Sequence, residues 1–134
     1  MMNRLARAQA LAVQGRREAA RALYAEPYAE ATGAEDPYWA SVAAHFLAHL
    51  AGTPEAQRDW HLRALQAADA VGHERVAAFY PSLHANLAEV YLRLHNPAQA
   101  RAHLAQAHAA RQCLPPGTGD PSVGLLIERV TQAL

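Results

Sequence analysis

Four dipeptides in this chain place a side-chain hydrogen-bond acceptor directly before a proline: Asp36-Pro37, Thr53-Pro54, Asn96-Pro97 and Asp120-Pro121. The acceptor can cap the orphan amides of a helical first turn, and proline at the first helical position gives up an N–H that would have had no partner. Each dipeptide therefore predicts a helix start. Glycines supply the opposite mark: Gly15, Gly33, Gly52 and Gly72 follow alanine-rich runs and are expected to end helices in the left-handed conformation.

Between these marks the apolar residues recur at three and four, the helical period, and never alternate over a useful length as a half-buried strand would. Val76, Phe79, Leu83, Leu87, Val90 and Leu94 hold one face, widened by Tyr80 and Tyr91. The pattern predicts helices over about 3–14, 17–31, 37–51, 54–71, 74–95, 97–112 and 121–134, an all-α chain. Pro81 interrupts the stripe and predicts a kink or a break, and Pro27 raises the same expectation in the second helix. Only Cys113 to Asp120 reads as a real loop.

The chain's 134 residues suit one domain with a core large enough to need no staple. Twelve basic residues, all arginine, are matched by twelve acids, so there is no overall field to collect nucleic acid. The arginines at 4, 7, 16, 17 and 21 read as a solvated face offset by Glu26, Glu30, Glu35 and Asp36. Cys113 is the single cysteine, which excludes an internal disulfide and suits a reducing, cytoplasmic setting. No apolar run approaches the roughly 20 residues needed to cross a bilayer. The basic, alanine-rich opening imitates a transit peptide but is read as an ordinary helix, since the same composition fills the chain.

The predicted helix pairs are also copies of one another. Leu87-Ala88, Tyr91, Ala100 and Leu104 align with Ala43-Ala44, Leu47, Ala56 and Trp60, 44 positions earlier. A further copy puts Ala8, Leu11, Gly15, Ala20 and Tyr24 at the same internal spacing. Small residues coincide with small and large with large, as closely packed helix pairs require.

This spacing resembles the tetratricopeptide repeat, most closely over residues 86 to 107: Leu87 and Ala88 stand for its leucine-glycine pair, Tyr91 for its tyrosine, Ala100 for its packing alanine and Leu104 for its large residue. His84 stands in the place of the repeat's tryptophan, Gln112 in that of its late proline, and Arg7 at a packing position. The resemblance covers about residues 1–112 and implies an α-solenoid of about three antiparallel helical hairpins, over about 1–34, 37–71 and 74–112, forming one domain. The last helix, 121–134, would cap it, covering the apolar face of the final repeat with Val123, Leu126, Ile127, Val130 and Leu134. A homodimer through this helix is the alternative.

In proteins of that family the first helix of each repeat lines a concave groove that takes a peptide or helix of a partner. Carried over residue by residue, the groove positions fall at Tyr38, Ser41, His45 and His49 in the second repeat and at Ser82, Ala85, Glu89 and Arg93 in the third. In the first they fall at Gln9 and Val13, with Leu5 beside them. The resemblance thus implies a non-enzymatic adaptor for an unidentified protein or peptide, needing no cofactor and no metal, or a self-assembling module.

His45 and His49, at i and i+4, also admit a metal site. "HFLAH" lacks the glutamate that follows the first histidine in the zincin pattern HExxH, and a third ligand could come only from His61 or His84. A metal-dependent helical enzyme on His45 and His49 is therefore the alternative function. No nucleophile elbow surrounds Ser41, Ser82 or Ser122, Cys113 ends a helix where the dipole disfavours a thiolate, and "GTGD" lacks the lysine and strand of a phosphate loop. Of the remaining histidines, His103 and His108 are five apart and so do not share a helix face, and His73 and His95 lie at helix ends, where a polar cap is favourable.

Overall fold

The computed structural model describes residues 17–115 and 121–134, whose regular structure is all helical, with no strand among them. They fall into two compact units, the first ending at Val71 and the second beginning at Gly72. The expected helix over 3–14 and the Asp120 cap lie outside the described residues. None of the described helices is long and apolar enough to cross a membrane.

The first unit holds α1 (Arg17–Gly33), α2 (Pro37–Leu50) and α3 (Pro54–Val71). Helix α2 is central and packs against both of the others. Small side chains make this possible: Ala40, Ala43, Ala44 and Ala48 are buried along α2, and Ala64 and Ala68 along α3. With no bulk beyond a Cβ, the helix surfaces approach closely, and the remaining space is filled by Tyr24, Leu47 and Leu50. Aromatic rings close the rim. Tyr24 stacks on Phe46 at 5.2 Å, and Tyr28 meets Trp60 edge-on at 5.0 Å. Burial pushes the Tyr24 hydroxyl up to about 12, so it stays neutral. Helix α1 runs on through Pro27, which is buried, so the expected break is absent there.

The second unit opens with a short α4 (His73–Val76) and a 3-10 turn (Ala77–Phe79), followed by α5 (Tyr80–Arg93), α6 (Pro97–Gln112) and α7 (Pro121–Ala133). The break falls where Pro81 predicted it. Its ring has no N–H to offer the carbonyl four residues back and crowds that turn, so α5 restarts with Pro81 in its first turn. The apolar stripe survives the restart, with Val76, Leu83, Leu87 and Val90 all buried. Helices α5 and α6 pack together through Ala85, Ala88, Leu104 and Ala107, and Ile127 and Val130 of α7 join that cluster. Helix α7 rests more on α5 than on α6.

Two helix junctions share one geometry. At the first, Asp36 N–H donates to Ala31 O and Glu35 N–H to Thr32 O; at the second, Asn96 N–H donates to Tyr91 O and His95 N–H to Leu92 O. These are the paired bonds of a Schellman helix end. Glu35 and His95 carry the left-handed backbone, at φ 54° and 59°. The next residue then caps the following helix: Asp36 Oδ1 accepts from Trp39 N–H, and Asn96 Oδ1 from Gln99 N–H. Thr53 Oγ1 likewise accepts from Ala56 N–H. The expectation of left-handed ends at Gly33 and Gly52 is corrected here, because only Gly72 of the described glycines has positive φ. Helix α2 instead ends through extended Ala51, whose carbonyl accepts from the Gln57 side chain at 3.0 Å.

Candidate functional site

Helix α2 carries four of the residues singled out from the sequence. Asp36 and Pro37 fix its first turn, and the helical period then turns Ala40, Ala43, Ala44, Leu47 and Ala48 inward. Tyr38 stands half-buried with its ring 5.3 Å from that of Trp39. Ser41 is placed differently from the expectation: it is 1% exposed and its hydroxyl donates to Ala64 O of α3 at 2.8 Å. A buried hydroxyl must find such a partner, and this one is committed to holding α2 on α3. Ser41 therefore leaves the set of surface contacts.

His45 and His49 come together as the i, i+4 spacing predicts, with their Nε2 atoms 3.3 Å apart and ring centroids 4.7 Å apart. His49 is exposed, whereas His45 is mostly covered and its Nδ1 is buried with no hydrogen-bond partner. Burial, and then the neighbouring His49, lower the His45 pKa to about 4, so its ring is neutral across the physiological range. Across from them, His61 of α3 is 3% exposed. Its ring centroid lies 5.6 Å from that of His45 and 5.5 Å from that of His49. Three imidazoles from two helices thus occupy one corner of the first unit. Among the described residues, no three His, Cys, Asp or Glu side chains form a group that could hold a metal ion.

In the second unit Ser82 is half-buried, its hydroxyl and carbonyl both accepting from the Asn86 amide. Glu89 is half-buried and accepts from Arg129 of α7. Ala85 lies under the same helix, fully buried. Arg93 is exposed in the last turn of α5. The two α5 positions nearest the terminal helix are thus engaged within the unit.

Two features went unread in the sequence. One is a groove of about 420 Å³ in the first unit, lined by Tyr28, Thr32, Pro37, Arg63 and Gln66 among others, and by none of the eight positions carried over onto the second and third repeats. Arg63 is not idle there, since its guanidinium lies 4.5 Å over the Trp60 ring. The other is a second histidine pair. His84 and His103 are buried between α5 and α6, flanked by stacked Tyr80 and Tyr91. His103 is therefore an interior residue.

No family model, curated protein or solved structure matches this chain.

Proposed function

We propose that the chain is a tetratricopeptide-like α-solenoid adaptor, a non-enzymatic module that binds a peptide or helix of a partner protein. The observation that carries the reading is the division of α2 into two faces. Its alanines and Leu47 are buried, while half-buried Tyr38 and exposed His49 reach the surface, with the mostly covered His45 ring behind His49. Helices that serve only as packing elements have no need of such an aromatic and imidazole row, and rings of this kind give contact area with few torsions to freeze. Arg93 and Ser82 extend the reading to α5, and the groove beside Tyr28 and Arg63 offers an apolar seat with polar edges. The packing alanines of the repeat pattern, Ala43, Ala44, Ala88 and Ala100, are all buried, which supports the register from which these positions were carried over.

The test is an affinity capture from native lysate comparing the wild type with a His49→Glu, Arg93→Glu double variant whose helicity is checked by circular dichroism. Both changes are at exposed positions, so the fold should survive. A protein captured by the wild type and lost by the folded variant supports the α2 and α5 faces. Equal capture by both would move the interface elsewhere, and a strictly monomeric mass in light scattering would remove self-association through α7.

A further inference from the structure

We infer that the groove between α1 and α3 seats a short extended peptide of the partner, with an acidic and a basic side chain about 10 Å apart and small aliphatic residues between them. This rests on the partner-binding reading but uses a different surface, since neither His49 nor Arg93 lines the groove.

The floor of the groove is made of methyl groups. Ala31 and Ala40 are buried at its base, and Ala67 and Ala70 of α3 line one wall. With nothing longer than a Cβ on these positions, a peptide backbone and an aliphatic side chain can lie directly against the helices. The length follows from the helices. Both α1 and α3 join α2 through short turns and pack along it, so they run in the same direction on either side of it. Arg63 and Ala70 are two turns apart on α3, about 10 Å of helical rise, and Tyr28 and Glu35 mark the same interval on α1. The two intervals are in step, because Tyr28 meets the Trp60 ring edge-on and Arg63 lies over that same ring. An extended chain covers this length in about three residue steps.

The two ends of the groove differ in charge. At one stand the carboxylates of Glu35 and Asp36, and among the described residues neither is ion-paired, Asp36 Oδ1 accepting only from Trp39 N–H. Helix α1 finishes at Gly33 and α3 at Val71, so both helix dipoles add negative potential at this end. At the other end is the Arg63 guanidinium, which keeps N–H donors for a carboxylate while it lies over the ring. An uncharged trough with opposite charges at its ends selects a peptide of the reverse polarity.

The experiment follows the backbone amide resonances of the isotope-labelled full chain as the blocked peptide acetyl-Glu-Leu-Ala-Arg-amide is added. Saturating shifts at Ala31, Ala40, Ala67 and Ala70, with α5 and α6 unmoved, are the expected result. Glu35→Arg and Arg63→Glu, both at exposed positions, should each weaken binding about two- to fivefold, the worth of an exposed ion pair. Ala67→Leu fills the trough and should abolish binding, with helicity checked by circular dichroism. A peptide of the same composition with its charges adjacent, acetyl-Glu-Arg-Leu-Ala-amide, should bind more weakly. Equal binding of the two peptides, shifts elsewhere, or no shifts at all would overturn the inference, as would full binding by Ala67→Leu. Its failure is separable from that of the partner-binding reading. If the peptide does not bind, yet a protein is still captured by the wild type and lost by the His49→Glu, Arg93→Glu variant, the groove is retired and that reading stands.

Discussion

The Nδ1 atoms of His84 and His103 lie 3.0 Å apart in the interior of the second unit, joining α5 to α6. One Nδ1 must carry a proton and the other must not, so the accepting ring is neutral and the contact cannot survive protonation of both rings. Tyr80 stacks on His84 and Tyr91 on His103, fixing both ring planes.

Breaking this pair from one side should be worse than removing it. His103→Leu leaves a buried acceptor or donor facing a methyl group, at about 1–3 kcal/mol, whereas His84→Leu with His103→Leu should recover most of that loss. Urea unfolding of the two single variants and the double closes the cycle. Strictly additive losses would mean the two rings do not interact.

Acid should weaken the same unit. Burial lowers the His103 pKa, so the unfolded chain binds a proton at a higher pH than the folded one does. Stability therefore rises with pH through this window: the contribution is whole above the ordinary histidine range near 6.5 and falls as pH drops below it. Tyr80, Tyr91 and His84 are the groups stacked or bonded to the pair, and none of them brings a negative charge to offset a second proton. Melting temperature measured from pH 7.5 to 4.5 should decline less in the His84→Leu, His103→Leu double variant than in the wild type.

Glycine should improve the two left-handed corners. Glu35 and His95 hold φ values of 54° and 59°, a region costing a side chain roughly 1–2 kcal/mol that glycine avoids, less about 0.4–1 kcal/mol for the added freedom of the unfolded chain. Glu35→Gly and His95→Gly are each expected to raise stability by up to about 1 kcal/mol, read as an upward shift in the urea midpoint. A fall in either would mean the side chain contributes more than its backbone strain takes away.

Ser41→Ala should separate packing from recognition. Loss of the buried bond to Ala64 O is expected to cost about 0.5–1.5 kcal/mol. Capture of any partner that depends on His49 should be unchanged in this variant. A specific loss of capture at normal stability would return Ser41 to the recognition surface.

Helix positions were legible because an acceptor before proline is a local signal: Asp36, Thr53 and Asn96 cap where the sequence alone puts them. The break before Pro81 was legible for the same reason. Gly33 and Gly52 misled, since the left-handed residue of a Schellman end is fixed by its position just before the next cap, which selects Glu35 and His95 whatever their propensity. The meeting of His45 with His49 follows from the helical period alone. That of His61 with both, and of His84 with a residue nineteen positions away, depends on how one helix is rotated against another, and no spacing along the chain encodes that rotation.

The two Schellman corners let a single residue finish one helix and cap the next, so the link between α1 and α2, like that between α5 and α6, has no slack. Mechanically these are welds. The passage from α2 to α3 is made otherwise, through extended Ala51 and the turn at Gly52 and Thr53, with one side-chain bond from Gln57 across it. Helix α2 nevertheless packs on α3 no less closely than on α1, and the buried bond from Ser41 to Ala64 O ties the two, so what the open turn leaves loose is held along the helices themselves.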